Sequence, residues 1–530
     1  MTTNHELGDS SGTGVARAGR REWTALAVLL LPLLLVSMDN SVLLFAVPFI
    51  AKALHPSSTE QLWMYDVYGF VLAGLLITMG AVGDRIGRRR LLLIGACCFS
   101  AASLGAAYAG GAGELVAARA VQGVAGATLM PSTLALIRNM FHDENQRKRA
   151  VGVWTGTMMG GVALGPVLSG TLLEHFWWGS IFLINVPFMA MLLLLGPFLL
   201  PEYRSSGAGR FDLAGSVLSF AAVLPAVYGV SEIAENGVDA PRLGAVGFGL
   251  VMGGCFVWRQ HAAAHPMVEL RLFRRRGYSG SLLTCLAAMF AILGNAIYMT
   301  QYLQSVLGMT PLVAALWSLV PSAGVGAVIA ITGALAKSFD RAYVIAGGFA
   351  VILAGYLVQA TLLHVGSHLW VLMLGALLLA SGAIGVTTIG NELMLGALPP
   401  ERAGAGAAMN ETVTELGGAL GMAVMGSIGT AVYRQHIGSA APAARSTLGG
   451  AVAVGAHEPG SAGTALLTGA REAFVTSLNT VSIVGAALMG VAALLAVAFL
   501  RRVGPEAAAA ASENTVTAVR PEHPEEAFSG

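Results

Sequence analysis

The chain has 530 residues, of which 55% are hydrophobic and only 11% charged, and its mean hydropathy is +0.70. That composition excludes an ordinary soluble domain and points to a polytopic membrane protein. A formal net charge of +1 offers no handle for nucleic acid, and the four cysteines, Cys97, Cys98, Cys255 and Cys285, lie in apolar runs without disulfide or metal spacing.

Residues 1–22 are a polar tail ending in Arg20-Arg21. The apolar run behind them is too long for a removable signal peptide and lacks its small-residue cleavage site. Apolar runs of about 20 residues then recur at 24–50, 61–82, 91–110, 114–137, 150–172, 178–200, 212–233 and 242–258. They continue at 279–303, 312–335, 343–363, 369–395, 403–432 and 473–500, which predicts fourteen membrane helices. The loops on one side, with both tails, hold 24 of the 30 Lys and Arg; the other side holds 5, and Arg119 lies inside a span. The positive-inside rule therefore puts both termini in the cytoplasm. Only Lys52, Lys148 and Lys337 are lysine, which with abundant Ala and Gly fits a GC-rich bacterial genome. The expected location is a bacterial cell membrane.

Gly80–Gly95 and Gly333–Gly348 align without gaps and share Gly, Ala, Arg and Gly at their first, second, ninth and last positions. Both fall in expected cytoplasmic loops. Setting aside the seventh and eighth spans makes the two loops equivalent places in two six-helix halves, the usual plan of a transporter with a midplane site. The expected organisation is a cytoplasmic tail (1–22), a six-helix bundle (23–200), an inserted helix pair with its linkers (201–277), and a second six-helix bundle (278–502). The second bundle includes a long outer loop, 433–472, and a disordered cytoplasmic tail follows at 503–530.

Within this frame a few polar residues stand out. Asp39 lies fifteen residues beyond Thr24, roughly 22 Å along the helix axis at about 1.5 Å per residue. An ionised carboxylate at that depth costs several kcal/mol unless it is paired, hydrated or protonated part of the time. Asp66 is a second acid, near the outer end of the second span, where a solvated acid is the plainer alternative. Arg119 lies inside the fourth span, so it needs a carboxylate or a water-filled cavity, unless it snorkels to the surface. Glu411 and Glu415 are one turn apart on the thirteenth span and share a face. Two acids on one low-dielectric face cannot both ionise cheaply, so the pair is expected to share a proton. Phe45, Trp63, Tyr65, Tyr68, Tyr298, Met299, Tyr302 and Met409 supply π faces and adaptable sulfur that a lipophilic cation can use.

Several of these stretches resemble a known family. The run Gly80-Ala-Val-Gly-Asp84-Arg85-Ile-Gly87-Arg88 is similar to the cytoplasmic signature of the major facilitator superfamily. In it Gly80 and Gly87 permit close helix approach and a tight turn, and Asp84 can pair with the arginines. Arg119-xx-Gln122-Gly123-xx-Gly126 resembles the fourth-helix motif of drug:proton antiporters. Gly161-xxx-Gly165-Pro166-xx-Ser169-Gly170 resembles their fifth-helix motif, with Ser169 where Gly is usual. The glycines clear a face for another helix, here expected to be one of the opposite bundle, and Pro166 bends the helix. Met38-Asp39-Asn40-Ser41 and the Asp66 stretch resemble the fourteen-helix, quaternary-ammonium branch.

The resemblance implies an all-α membrane protein of the major facilitator fold that exports lipophilic, cationic drugs, dyes and quaternary ammonium compounds. Asp39, Asp66, Arg119, Glu411 and Glu415 are its expected proton-coupling and cation-binding residues. A proton gradient drives it, with no cofactor or metal. Its partners are small lipophilic cations, protons and the bilayer; neither nucleic acid nor an obligate protein partner is expected. The rival readings are an exporter dedicated to one antibiotic and a non-transporting membrane receptor. No nucleophile–base constellation suggests an enzyme.

Overall fold

The computed structural model describes residues 18–204, 213–262, 270, 272–322, 324–398, 403–438, 441–456 and 461–501. The expectation of a disordered tail at 503–530 lies outside the described residues, as does most of the N-terminal tail. The described residues are helical and contain no strand.

The helices are α1 (Arg20–Leu54), α2 (Ser58–Ile86), α3 (Arg88–Ala107), α4 (Ala112–Met140), α5 (Glu144–His175), α6 (Ser180–Leu183), α7 (Asn185–Leu199), α8 (Leu213–Asn236) and α9 (Ala240–Ala262). They continue with α10 (Arg276–Gln301), α11 (Pro311–Trp317), α12 (Val325–Ser338), α13 (Arg341–Leu362), α14 (Leu369–Gly396), α15 (Ala403–His436), α16 (Pro442–Ser446), α17 (Leu448–Gly455) and α18 (Ser461–Leu500). Their starts follow from local chemistry. Ser57 and Glu60 form a reciprocal capping box on α2, Ser57 Oγ accepting from the Glu60 amide at 3.2 Å and Glu60 accepting from the Ser57 amide at 2.9 Å. Asp143 caps α5, and Thr310 followed by Pro311 starts α11.

Among the described residues twelve helices are long and apolar enough to cross a membrane, or thirteen if the bent α2 counts as one span. The remaining expected span, the seventh at 212–233, falls on α8, which among the described residues yields only a shorter apolar stretch, Val217–Ala226. α2 bends by 50° between Leu76 and Thr78.

α1 packs on α5 and α7, α2 on α4, and α3 on α4 and α7. Separately, α13 packs on α14 and α18, and α10 on α14 and α15. These are two groups of helices joined by few seams. α2 meets α15, where Leu62 lies against Gly426 and Gly69 against Ala419. α5 meets α11, where a Cβ on Gly170 would come within 2.6 Å of Leu312 Cα. Gln304 Nε2 of the turn after α10 donates to the Phe45 carbonyl of α1 at 3.2 Å. By position along each helix these contacts run from the membrane middle to the end opposite the arginine-rich loops. α8 lies across the α2–α15 seam, with Phe220 against Gly74 and Tyr228 6.2 Å from Trp63.

The described residues of the long loop 433–472 are folded rather than loose. Tyr433 Oη donates to the Ala444 carbonyl at 3.0 Å, Leu448 and Ala451 are buried, and Gly449 sits against Ala51 at the end of α1.

Candidate functional site

Asp39 of α1 is 6% exposed and Arg119 of α4 is 0% exposed. Arg119 Nη1 and Asp39 Oδ2 form an ion pair. Arg119 also donates from Nε to the Met64 carbonyl of α2 and from Nη1 to Gln122 Oε1, both at 3.2 Å. Its guanidinium carbon lies 4.5 Å from the centre of the Tyr68 ring, whose π face shares the charge. Gln122 Nε2 donates to Ser103 Oγ of α3 at 2.9 Å, and the same oxygen accepts from Asn185 Nδ2 of α7 at 3.2 Å. A buried ion pair survives its desolvation cost only when the remaining donors are satisfied; this network does that across α1, α2, α3, α4 and α7. The carboxylate that Arg119 requires is therefore Asp39, and Arg119 does not snorkel. Ser103 and Asn185 escaped the sequence reading; their only signal is that each is a polar residue in an apolar run.

Tyr68 joins this pair to the C-terminal helices. Its hydroxyl is within electrostatic range of Asp39, Arg119 and Glu415 of α15. Glu411 lies one turn before Glu415 on the same helix, with its side chain outside the described residues. Asp66 is 3% exposed, so the solvated-acid alternative is wrong. Its Oδ1 meets no hydrogen-bond partner among the described residues. By helical spacing Asp66 lies on the Leu62–Gly69 face of α2 that meets α15.

The aromatic and sulfur residues do not gather into one pocket. Met409 packs with Leu282 and Met394 near the arginine-rich end. Trp63 turns to Tyr228 and Phe70. Tyr302 donates to the His364 carbonyl at 3.2 Å, while Tyr298 donates to the Met425 carbonyl at 2.8 Å and packs 5.9 Å from Phe474. Phe45 and Met299 are buried in the large core. Residue type groups them; helical phase separates most of them, while Tyr65 and Tyr298 line a common cavity.

In the signature loop Asp84 pairs with Arg88 at 2.6 Å. Gly87 has φ 111°, and a Cβ there would strike the Glu202 carboxylate, which accepts from the Arg89 amide at 3.1 Å. The loop is thus fastened to the end of α7. Gly80, by contrast, has nothing near the position of a Cβ, so it permits no close approach here. Arg85 is exposed. At the matching loop, Arg341 pairs with Glu392 at 2.7 Å.

The fifth-helix glycines face α1, not the opposite group as expected. A Cβ on Gly161 would meet Ser37 Oγ and lie 2.8 Å from the Leu34 carbonyl oxygen. One on Gly165 would meet Ser41 Oγ and lie 3.0 Å from the Met38 carbonyl oxygen. Ser169 Oγ donates to the Val42 carbonyl at 2.9 Å, so the departure from Gly is used as a hydrogen bond to α1. Pro166 lies inside the continuous helix α5. Only Gly170 reaches the other group.

The model of the Major Facilitator Superfamily matches residues 29–422. The chain belongs to this superfamily. It is a multi-pass membrane transporter and not an enzyme. This facilitator is 41% identical over 500 residues to the multidrug efflux pump LfrA of Mycolicibacterium smegmatis, covering 92% of this chain and 98% of that one. It is 33% identical over 470 residues to the methyl viologen resistance protein SmvA of Salmonella typhimurium, covering 86% of this chain and 94% of the relative. A solved bacterial homologue of the human lysosomal transporter Spinster, inward-facing and unoccupied, superposes with a TM-score of 0.63 at 16% identity. The match covers 90% of this chain and 98% of that one, and it speaks for the fold alone.

Proposed function

We propose that this facilitator exports lipophilic cations from the bacterial cytoplasm in exchange for protons. The observation that carries the reading is the cluster of Asp39, Arg119, Tyr68 and Glu415, which spans both groups of helices. Asp39 pairs with Arg119, and Glu415 adds a second carboxylate within electrostatic range of the Tyr68 ring that lies over that guanidinium, which makes the neighbourhood one negative charge in surplus in a low-dielectric place. A proton or an organic cation neutralises that surplus equally well, and one site that takes either in turn is an antiporter. The relatives support drug export, and methyl viologen, named for one of them, is an organic dication. The positive-inside rule makes the arginine-rich end cytoplasmic. The closure at the opposite end is then the extracellular gate, and Asp84–Arg88 and Arg341–Glu392 are fastenings of the cytoplasmic loops. We read the helices as two six-helix halves with α8 and α9 inserted, fourteen crossings in all. Asp66 and Glu411 belong to the same proton-coupling set.

The test is dye uptake into everted vesicles. An ethidium-type cation should accumulate on energisation and leak out when an uncoupler collapses the gradient; accumulation that ignores the uncoupler rejects the reading. In detergent, unbuffered, adding the cation should release protons. Glu411→Gln and Glu415→Gln should each reduce the release. If the double variant releases as much as the parent while Asp39→Asn releases none, the acids of α15 are structural and coupling rests on α1.

A further inference from the structure

α16 and α17 roof a cavity of about 50 Å³ between the ends of α2, α10, α15 and α18. That space admits water and is far below the roughly 300 Å³ of a drug-sized site. Gln61, Tyr65, Thr430, Tyr433 and Ser477 place polar groups in a lining that also includes Leu62, Ile297, Tyr298 and Phe474. Gln61 is 9% exposed and Tyr65 2%, yet Gln61 Oε1 and Tyr65 Oη meet no partner among the described residues. Buried polar groups in proteins are nearly always partnered, by protein or by water.

The same condition continues inward. Tyr68 is 1% exposed and its Oη also lacks a partner among the described residues. Positions 61, 65 and 68 lie on one face of α2, spaced one turn apart. From Gln61 to Tyr68 is roughly 10 Å along the axis. At the outer end the stripe opens into the roofed cavity. At the inner end Tyr68 lies over Arg119, in range of Asp39 and Glu415. The helices packed on α2 also bring Glu232, which is held by Arg242 at 3.6 Å, and Glu411.

We propose that Gln61, Tyr65 and Tyr68, with water in the roofed cavity, form the relay by which extracellular protons reach the acids of the site. Gln61 Oε1 holds the water by accepting a hydrogen bond from it; each tyrosine hydroxyl accepts a proton on its outer side, passes its own inward and rotates back, so nothing is consumed and the side chains return to their starting state. The proposal rests on the antiport reading above and adds the route.

Two measurements test it on the full-length protein. Hydroxyl-radical footprinting should modify Tyr65 and Tyr68 about ten-fold faster than Tyr356, which is equally buried but donates to the Ala291 carbonyl at 2.8 Å. Equal rates for the three would mean that no water lies along the stripe. Thr430→Leu, which fills the cavity with apolar atoms, and Tyr65→Phe, which keeps the ring and removes the hydroxyl, should each slow gradient-driven dye efflux about ten-fold. Dye-for-dye exchange, which needs no net proton, should persist in Thr430→Leu. Efflux unchanged in both variants, or efflux and exchange falling together in Thr430→Leu, overturns the relay. If the parent protein itself moves no protons when drug is added, the antiport reading fails first and the relay goes with it.

Discussion

Replacing Asp39 by Asn is expected to stop drug efflux and also to lower thermal stability. Neutralising Arg119 in the same chain is expected to restore stability without restoring transport. Arg119 is wholly buried, and Asp39 is its ion-pair partner. Removing the carboxylate's charge takes away the counter-charge paired with the guanidinium, whose contacts also include the neutral Met64 carbonyl, Gln122 amide and Tyr68 ring. Breaking one side of a buried pair costs roughly 3–5 kcal/mol, somewhat less here because the Asn carbonyl still accepts a hydrogen bond. Adding Arg119→Gln to Asp39→Asn removes the stranded charge, and neutral replacements of buried pairs are commonly tolerated. Thermal melting in detergent should order the proteins as parent, double variant, then Asp39→Asn. Vesicle efflux should be absent from both variants, because the exchangeable charge has gone. A single variant as stable as the parent would show that Arg119 has another counter-charge, and efflux by the double variant would remove Asp39 from the coupling set.

Much of this was legible in the residues. Helix positions follow from apolar length, since a helix in lipid satisfies its own backbone and needs only apolar side chains. The importance of Asp39 and Arg119 follows from the cost of charge at depth. That the two belong to each other does not follow, because 80 residues separate them and α1 and α4 are brought together only by tertiary packing. The error over the aromatic residues has the same origin. Met409 and Tyr298 can each contact a lipophilic cation but lie near opposite ends of the protein, one beside Leu282 and the other beside Phe474. The folded cap of α16 and α17 over the cavity was also beyond reach, because Ala, Gly and Ser read equally well as linker or as small helices. Only the contacts of Leu448 and Gly449 decide between them.

Gly165→Leu is expected to abolish transport by moving α1, and it separates a positioning role from a gating one. α5 approaches α1 so closely at Gly165 that a Cβ would lie 3.0 Å from the Met38 carbonyl oxygen and 3.2 Å from Met38 Cβ, with Ser41 Oγ closer still. Asp39 sits between those two contacts in the chain. A leucine there must push α1 away, and forced overpacking costs about 1–3 kcal/mol. The displacement acts on the one segment that holds Asp39 against Arg119, so transport is lost even in molecules that remain folded. Gly165→Ala should give a graded loss, since it adds only the colliding Cβ. Gly160→Ala is the control: nothing lies within reach of a Cβ at Gly160, and alanine also favours the helix. Expression-normalised efflux should therefore fall in the order parent and Gly160→Ala together, Gly165→Ala, then Gly165→Leu. If a well-expressed Gly165→Leu transports normally, α1 and α5 can separate without disturbing the ion pair, and the fifth-helix glycines serve packing alone.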